Sequence, residues 1–361
     1  MWECFRLAEK GKGFVSPNPM VGAVLVRNGR IVARGFHRRF GGPHAEVECL
    51  RFYDGNPKGA TLYVNLEPCS HQGKTPPCAD MIIQSGVSNV VIGMRDPNPL
   101  VAGRGIRKLR RAGVRVLSGV LEREAKELNR IFVTHITRRR PFVHVKIAQS
   151  FNGKIASAQG SQTWMSGIQS RRLVHQWRAE HDAILVGANT IRIDDPLLTV
   201  RLVKGRNPAV VIIDGSLSIS PESKVLKTTR KRKVVILTWA ETARRRNSKM
   251  KELTSRGAIV VPLVSRTNRL SLNTILKKLY RLDIGSILVE GGSNVFAQFL
   301  EKGNVDLLSI FLVPLFIGKG VPTIDQINGY HQKAVRISPS TVSSHLVGED
   351  ILLQFRFDRE G

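Results

Sequence analysis

Apolar residues along the chain fall into short runs divided by Gly-, Pro- and Asn-rich turns, and their period alternates between two and about 3.6. Segments 21–26 and 31–36 read as strands joined by Asn28-Gly29, a dipeptide suited to a two-residue hairpin. Further strands are predicted at 61–66, 89–93 and 114–116, with helices over 2–12, 44–52, 78–85, 105–111 and 120–132. Helices interleaved with strands in this way predict a three-layer α/β domain. Thr137-Arg138-Arg139-Arg140 then precedes Pro141, which ends any helix reaching it. The expected domains are therefore 1–140 and 141–361. In the second, strands are predicted at 142–148, 183–186, 209–213, 234–238, 258–260, 286–290 and 307–313, with helices over 168–180, 272–281 and 293–302. Residues 330–361 read as two closing strands, and the halves do not resemble copies of one another.

Composition narrows this picture without deciding it. The chain has 361 residues, 42% of them hydrophobic, enough for two cores. It has no apolar run of eighteen, and Met1-Trp2-Glu3-Cys4-Phe5-Arg6 does not begin a secretory signal, so a cytoplasmic protein without membrane spans is expected. Four cysteines are too few for a disulfide scaffold, and Cys4 and Cys49 read as small buried hydrophobes in helices. The net charge of +28 is spread over both halves, with 24 Lys and Arg against 11 Asp and Glu in residues 1–140. A nucleic-acid module would concentrate that excess. An even basic surface also attracts phosphorylated small molecules.

Chemistry concentrates first at His44-Ala45-Glu46, Glu67-Pro68-Cys69 and Cys78. One imidazole and two thiolates suit Zn2+, and three protein ligands leave a fourth tetrahedral position for water. Zinc deaminases place a Glu two residues beyond the ligating His to move protons without binding the metal. These roles fall on His44, Cys69 and Cys78 as ligands and on Glu46 as the catalytic acid–base. The general signature ends P-C-x-x-C, whereas eight residues separate Cys69 from Cys78 here. The run Glu67-Pro68-Cys69-Ser70-His71-Gln72-Gly73-Lys74-Thr75-Pro76-Pro77-Cys78 closely resembles the riboflavin-biosynthesis deaminases, as do Ser16-Pro17-Asn18-Pro19-Met20-Val21-Gly22 and Gly35-Phe36-His37. That resemblance implies a pyrimidine substrate carrying a ribosyl 5-phosphate, with Asn18 and Lys74 binding it. His37 and His71 are weaker candidates, equally readable as structural histidines.

Gly103-Arg104-Gly105 in the first half and Gly318-Lys319-Gly320 in the second read as turns, and no G-x-G-x-x-G follows a strand. Other runs resemble the reductase domain of the same family: Lys146 to Ala156, Trp164, Arg178 to Gly187, Thr190, Asp194 to Arg201, and Val289-Glu290-Gly291-Gly292-Ser293. The resemblance implies an α/β fold overall, a cytidine-deaminase-like three-layer domain followed by a dihydrofolate-reductase-like domain. It also implies NADPH bound by Ala148, Trp164, Thr190, Asp194, Glu290, Gly291, Gly292 and Ser293. Substrate would be held by Lys146, Gln162, Arg178, Leu198 and Arg201, the arginines forking onto its phosphate. Glycines at the Glu290-to-Ser293 junction also permit close approach to a diphosphate at a helix N-terminus. The family pattern has Asp where Asn152 stands, which leaves an inactive, scaffolding reductase half as one alternative; a nucleic-acid-editing deaminase is the other. The expected reactions are hydrolytic deamination of 2,5-diamino-6-(5-phosphoribosylamino)pyrimidin-4(3H)-one, then reduction of the ribosyl chain to ribityl. A homo-oligomer is the expected assembly.

Overall fold

The computed structural model describes residues 1–70, 76–99, 101–157, 165–264, 271–324 and 337–358. Two compact units result, Met1–Arg140 and Pro141–Gly361. No described helix is long and apolar enough to cross a membrane.

The first unit is a five-stranded sheet of β1 (Gly22–Arg27), β2 (Arg30–Phe36), β3 (Thr61–Leu66), β4 (Asn89–Met94) and β5 (Arg115–Ser118), in the order β2-β1-β3-β4-β5. The β1–β2 hairpin turns at Asn28 and Gly29, both with positive φ, as a tight two-residue loop requires. β1 pairs antiparallel with β3, and β3, β4 and β5 run parallel. Around them lie α1 (Trp2–Ala8), α2 (Ala45–Arg51), α3 (Cys78–Gln84), α4 (Arg104–Arg111), α5 (Glu122–Leu128) and α6 (Arg130–Arg138). A Cβ on Gly35 would collide with the α2 backbone at Ala45 and Cys49, so the glycine lets α2 rest directly on β2. Cys4 and Cys49 are fully buried in α1 and α2 as expected.

Two expectations in this unit need correction. The single helix over 120–132 is divided at Asn129, whose side chain accepts from the Met20 amide (2.8 Å) and donates to the Met20 carbonyl (3.0 Å). Gly103-Arg104-Gly105 is not simply a turn: Gly103, at φ 72°, caps α4, and Gly105 lies inside the helix where any side chain would strike the Pro68 carbonyl.

The second unit contains β6 (Phe142–Ser150), β7 (Lys154–Ser157), α7 (Ile168–Glu180), β8 (Ala183–Gly187), α8 (Ala188–Asp194), β9 (Ala209–Ile213) and β10 (Val234–Trp239). These are followed by α9 (Ala240–Arg245), α10 (Asn247–Ser255), β11 (Ile259–Leu263), α11 (Leu272–Tyr280), β12 (Ser286–Val289), α12 (Ser293–Glu301), β13 (Leu307–Val313), β14 (Gly320–Pro322), β15 (Thr341–Val347) and β16 (Asp350–Arg356). Nine strands form one sheet in the order β11-β10-β9-β8-β12-β6-β13-β16-β15, and β7 pairs with β14 apart from it. The first seven strands run parallel, while β16 and β15 close the sheet antiparallel. Alternate residues enter opposite cores: Leu185, Val211, Val235 and Leu237 join one apolar cluster, and Ile184, Val186, Val210, Ile212 and Ile236 the other. Both faces of these strands are therefore covered, which is why they read as continuous apolar runs.

Gly320 belongs to β14, so Gly318-Lys319-Gly320 also departs from its expected turn. The strand expected at 258–260 runs from Ile259 to Leu263. Helices α8, α9 and α10 and the β7–β14 pair were not predicted. They are short and largely polar: α9 and α10 bury only Ala243 and Leu253.

A candidate metal centre and a candidate reductase cleft

In the first unit, β2, β3 and the entries to α2 and α3 bring distant residues together. His44 precedes the first turn of α2, Glu46 lies within that turn, Cys69 follows β3, and Cys78 opens α3. One ligand atom from each of His44, Cys69 and Cys78 lies within 4.8 Å of the others. His44 Nδ1 is 3.2 Å from Cys78 Sγ and 3.7 Å from Cys69 Sγ. The Cys78 amide, at the start of α3, donates to Cys69 Sγ at 3.3 Å, an arrangement that favours a thiolate. The hydrogen bond from Cys78, aided by His44, lowers the Cys69 thiol to about 4, while the same contact and burial push Cys78 up. Two sulfurs and an imidazole nitrogen converging in one half-buried spot fit a soft, tetrahedral metal ion.

Glu46 is 3% exposed, and its carboxyl lies against the Cys78 thiol. Burial raises its pKa, opposed by the charge of His44. It therefore sits beside the ligand cluster without belonging to it. The ring of His37 packs edge-on, 5.4 Å from that of His44. His37 Nδ1 is 2.8 Å from the Pro43 carbonyl, which can only accept, so the proton is on Nδ1. Nε2 then accepts from Asn18 Nδ2 at 3.1 Å, and burial lowers the imidazole's pKa. His37 thus orients Asn18, whose loop is also tied at Met20 by Asn65 and Asn129. Lys74 and His71 lie outside the described residues.

Glu67 has a role that its place in the Glu-Pro-Cys motif did not disclose. Buried at 3% exposure, it accepts from the amides of Asp96 (3.2 Å), Gly103 (2.9 Å) and Ile106 (3.2 Å). This ties the segment entering α4 to the loop that presents Cys69.

The second cluster lies at the carboxyl end of β12, where α/β sheets place ligands. Val289 of β12 registers with Val145 of β6 and Leu185 of β8, so the next residue, Glu290, falls beside Lys146. Arg178 of α7 grips Glu290 with both prongs, Nε to Oε1 at 2.6 Å and Nη2 to Oε2 at 2.7 Å. Its Nη1 donates to the Thr199 carbonyl at 3.2 Å. Lys146 Nζ is 3.8 Å from Glu290 Oε2. Burial alone would raise Glu290, but Arg178 and Lys146 hold it down at about 2; burial lowers Lys146, with Glu290 opposing.

Gly291 allows β12 to approach β8, since a Cβ there would fall 2.7 Å from Val186 Cβ. Gly292, at φ 82°, turns the chain into α12 and faces Thr190, whose Oγ1 would be 3.7 Å from a Cβ at Gly292. Ser293 opens α12, and its buried Oγ has no hydrogen-bond partner among the described residues. An orphaned hydroxyl at a glycine-bounded helix start fits a diphosphate. Asp194 ends α8, half-buried and raised in pKa by burial. Ala148 lies in β6 opposite Phe311 of β13. Leu198, at φ 51°, puts its side chain into the apolar cluster with Ile184 and Ile191, so only its backbone can face a ligand. Arg201 is exposed, with Nη1 3.3 Å from Thr199 Oγ1. Gln162 and Trp164 lie outside the described residues. Asn152 closes the turn after β6: Nδ2 donates to the Ile317 carbonyl (2.7 Å) and Oδ1 accepts from the Ile317 amide (3.2 Å).

Comparison with known proteins agrees with this division. Residues 1–94 match the cytidine and deoxycytidylate deaminase zinc-binding region, and residues 141–353 match the RibD C-terminal domain. The riboflavin biosynthesis protein RibD of Aquifex aeolicus is 42% identical, covering 97% of this chain and 95% of its own length. That of Escherichia coli K12 is 34% identical, covering 96% and 98%. A crystal structure from Thermotoga maritima of a diaminohydroxyphosphoribosylaminopyrimidine deaminase/5-amino-6-(5-phosphoribosylamino)uracil reductase superposes with a TM-score of 0.86 at 41% identity, over 99% of this chain and 97% of that one. Acinetobacter baumannii RibD superposes with a TM-score of 0.87 at 32% identity, over 98% and 97%. The chain therefore belongs to the RibD family of riboflavin-biosynthesis enzymes and joins a cytidine-deaminase-like domain to a reductase domain in one polypeptide.

Proposed function

We propose that the first unit hydrolyses the exocyclic amine of 2,5-diamino-6-(5-phosphoribosylamino)pyrimidin-4(3H)-one, and that the second reduces the product's ribosyl chain with NADPH. The observation that carries the reading is the convergence of His44, Cys69 and Cys78 with the buried Glu46 beside them. His44, Cys69 and Cys78 would hold zinc, which supplies a Lewis acid able to generate a nucleophile from water near neutral pH. Glu46 takes one proton from the attacking water and delivers it to the ring nitrogen, then takes the second from the hydroxyl added to the ring carbon and passes it to the amine, which leaves as ammonia as the carbonyl forms. Asn18, oriented by His37, hydrogen-bonds the substrate.

In the second unit Gly291, Gly292, Ser293 and Thr190 would receive the NADPH diphosphate; the bound cofactor supplies a hydride to C1′ of the opened ribosyl group. Lys146 orients the ribosyl chain from the middle of β6. Glu290 and Arg178 fix that lysine in place, and Arg201 meets the substrate's phosphate. Positioning contributes much of the rate in such a site.

The test is a two-readout assay on zinc-loaded protein with the diaminopyrimidine phosphate, following ammonia and NADPH together. Ammonia release followed by stoichiometric NADPH loss is expected. Ammonia alone would overturn the reductase half of the proposal, and neither signal would overturn both.

A further inference from the structure

Residues 197–202 form no helix or strand, yet side chains from elsewhere in the second unit hold the backbone of each one. Arg232, 8% exposed, donates to the carbonyls of Leu197 and Leu198, the latter at 2.6 Å. Arg178 Nη1 donates to the Thr199 carbonyl at 3.2 Å. Asn207 Oδ1 accepts from the Val200 amide at 2.7 Å. His175 Nδ1 accepts from the amides of Arg201 at 2.9 Å and Leu202 at 3.4 Å. A loop of this length normally satisfies its polar backbone with water or with its own turns. Here side chains take one backbone group of each residue in turn, the carbonyls of 197–199 and the amides of 200–202. That fixation removes conformational freedom before any ligand arrives.

We infer that residues 197–202 are a pre-organised strap that aims Arg201 at the phosphate of the reductase substrate, and that His175 is the positioning residue that sets Arg201. The inference rests on the proposed contact between Arg201 and that phosphate.

His175 is suited to the task. It lies on α7, three residues before Arg178, and is 6% exposed. Two backbone amides converge on Nδ1, which can receive them only as an unprotonated nitrogen, so the ring is the neutral Nε2–H tautomer. Burial, with the cations Arg178, Arg201 and Arg171 around the ring and Glu290 opposing them, holds the imidazole down at about 4. The acceptor therefore persists throughout the neutral range. α7 consequently carries both residues that shape the cleft: Arg178 grips Glu290 and the Thr199 carbonyl, and His175 grips the two residues that follow Val200. The side chain of Arg201 remains exposed while its backbone amide is held by His175.

The test uses the full chain and ribose 5-phosphate as probe, with its Kd measured by calorimetry in the absence of NADPH. The reductase KM and kcat for the deaminated substrate are measured in parallel. His175→Leu removes the acceptor and is expected to weaken ribose 5-phosphate binding about tenfold. It should raise KM similarly while kcat moves less than about twofold, because uniform binding is lost and the transition-state contacts are not. His175→Asn places an amide oxygen close to the position of Nδ1 and should stay within about threefold of wild type. It also separates a lost acceptor from a damaged fold. Wild-type binding by His175→Leu would overturn the inference, as would equal losses in the Leu and Asn variants when both melt cooperatively. Arg201→Ala distinguishes the two levels of the argument. Tenfold weaker binding there with an unaffected His175→Leu rejects the strap alone. Unchanged binding there rejects the phosphate contact and the strap with it.

Discussion

The two units organise their chemistry in opposite ways. In the first, the ligand donors and the acid–base come from the entries to two short helices and one strand end, and the decisive residues stand within 35 positions of one another, from His44 to Cys78. In the second, Lys146, Arg178, Arg201 and Glu290 span most of the domain: the register of β12 beside β6 sets Glu290 next to Lys146, and hydrogen bonds from α7 draw in the segment that carries Arg201. A metal's demand for donor type and number leaves a compact mark on a sequence. A site made by strand register and ion pairing leaves isolated residues that resemble ordinary surface charges.

Replacing Glu46 should separate the units most sharply. Glu46→Ala is expected to reduce ammonia release by about 10³-fold, within the range for loss of a general acid–base, while NADPH oxidation with the deaminated substrate changes less than twofold. Matched rate measurements on the two substrates check this, and a comparable loss in both would dissolve the distinction.

The next effect lies in the buried ion pair. Arg178→Leu leaves Glu290 buried with only Lys146 at 3.8 Å and should destabilise the second unit by about 3–5 kcal/mol. With Trp2 of the first unit replaced by Phe, urea unfolding followed by tryptophan fluorescence reads the second unit, and metal binding reports that the first survives. A shift below about 1 kcal/mol would show that the pair is not a structural tie.

Acid should weaken the second unit through His175. Its folded pKa, about 4, lies below the unfolded value near 6.5. The unfolded state therefore takes up the proton first, so stability is fully present above about 6.5 and declines as pH falls towards 4. His175→Asn should lack that part of the slope when unfolding free energies are compared across this window; an identical slope would contradict the assignment.

The smallest effect is expected at Asn152. Asn152→Asp restores the residue usual in the family but loses the donor to the Ile317 carbonyl, costing about 1 kcal/mol at this exposed turn. A melting comparison would show it, and a stabilised variant would contradict the hydrogen-bond account.

Much of the fold was legible because strands covered on both faces are continuous apolar runs, and because Asn28-Gly29 specifies its own turn. Helices α9 and α10 were not legible, since each buries one apolar residue and neither shows a stripe. The division at Asn129 depends on a contact with Met20, 109 residues away. At the sites, His44, Glu46, Cys69 and Cys78 could be read directly, whereas Glu67, His175 and Arg232 could not. Their partners are backbone amides and carbonyls, which no side-chain pattern records.

The most direct test of two independent centres in one chain is to strip metal with a chelator and assay both reactions, supplying the deaminated substrate to the second. The account predicts that ammonia release stops and returns with one equivalent of zinc, while NADPH oxidation continues throughout. Loss of both activities, or continued ammonia release from metal-free protein, would contradict it.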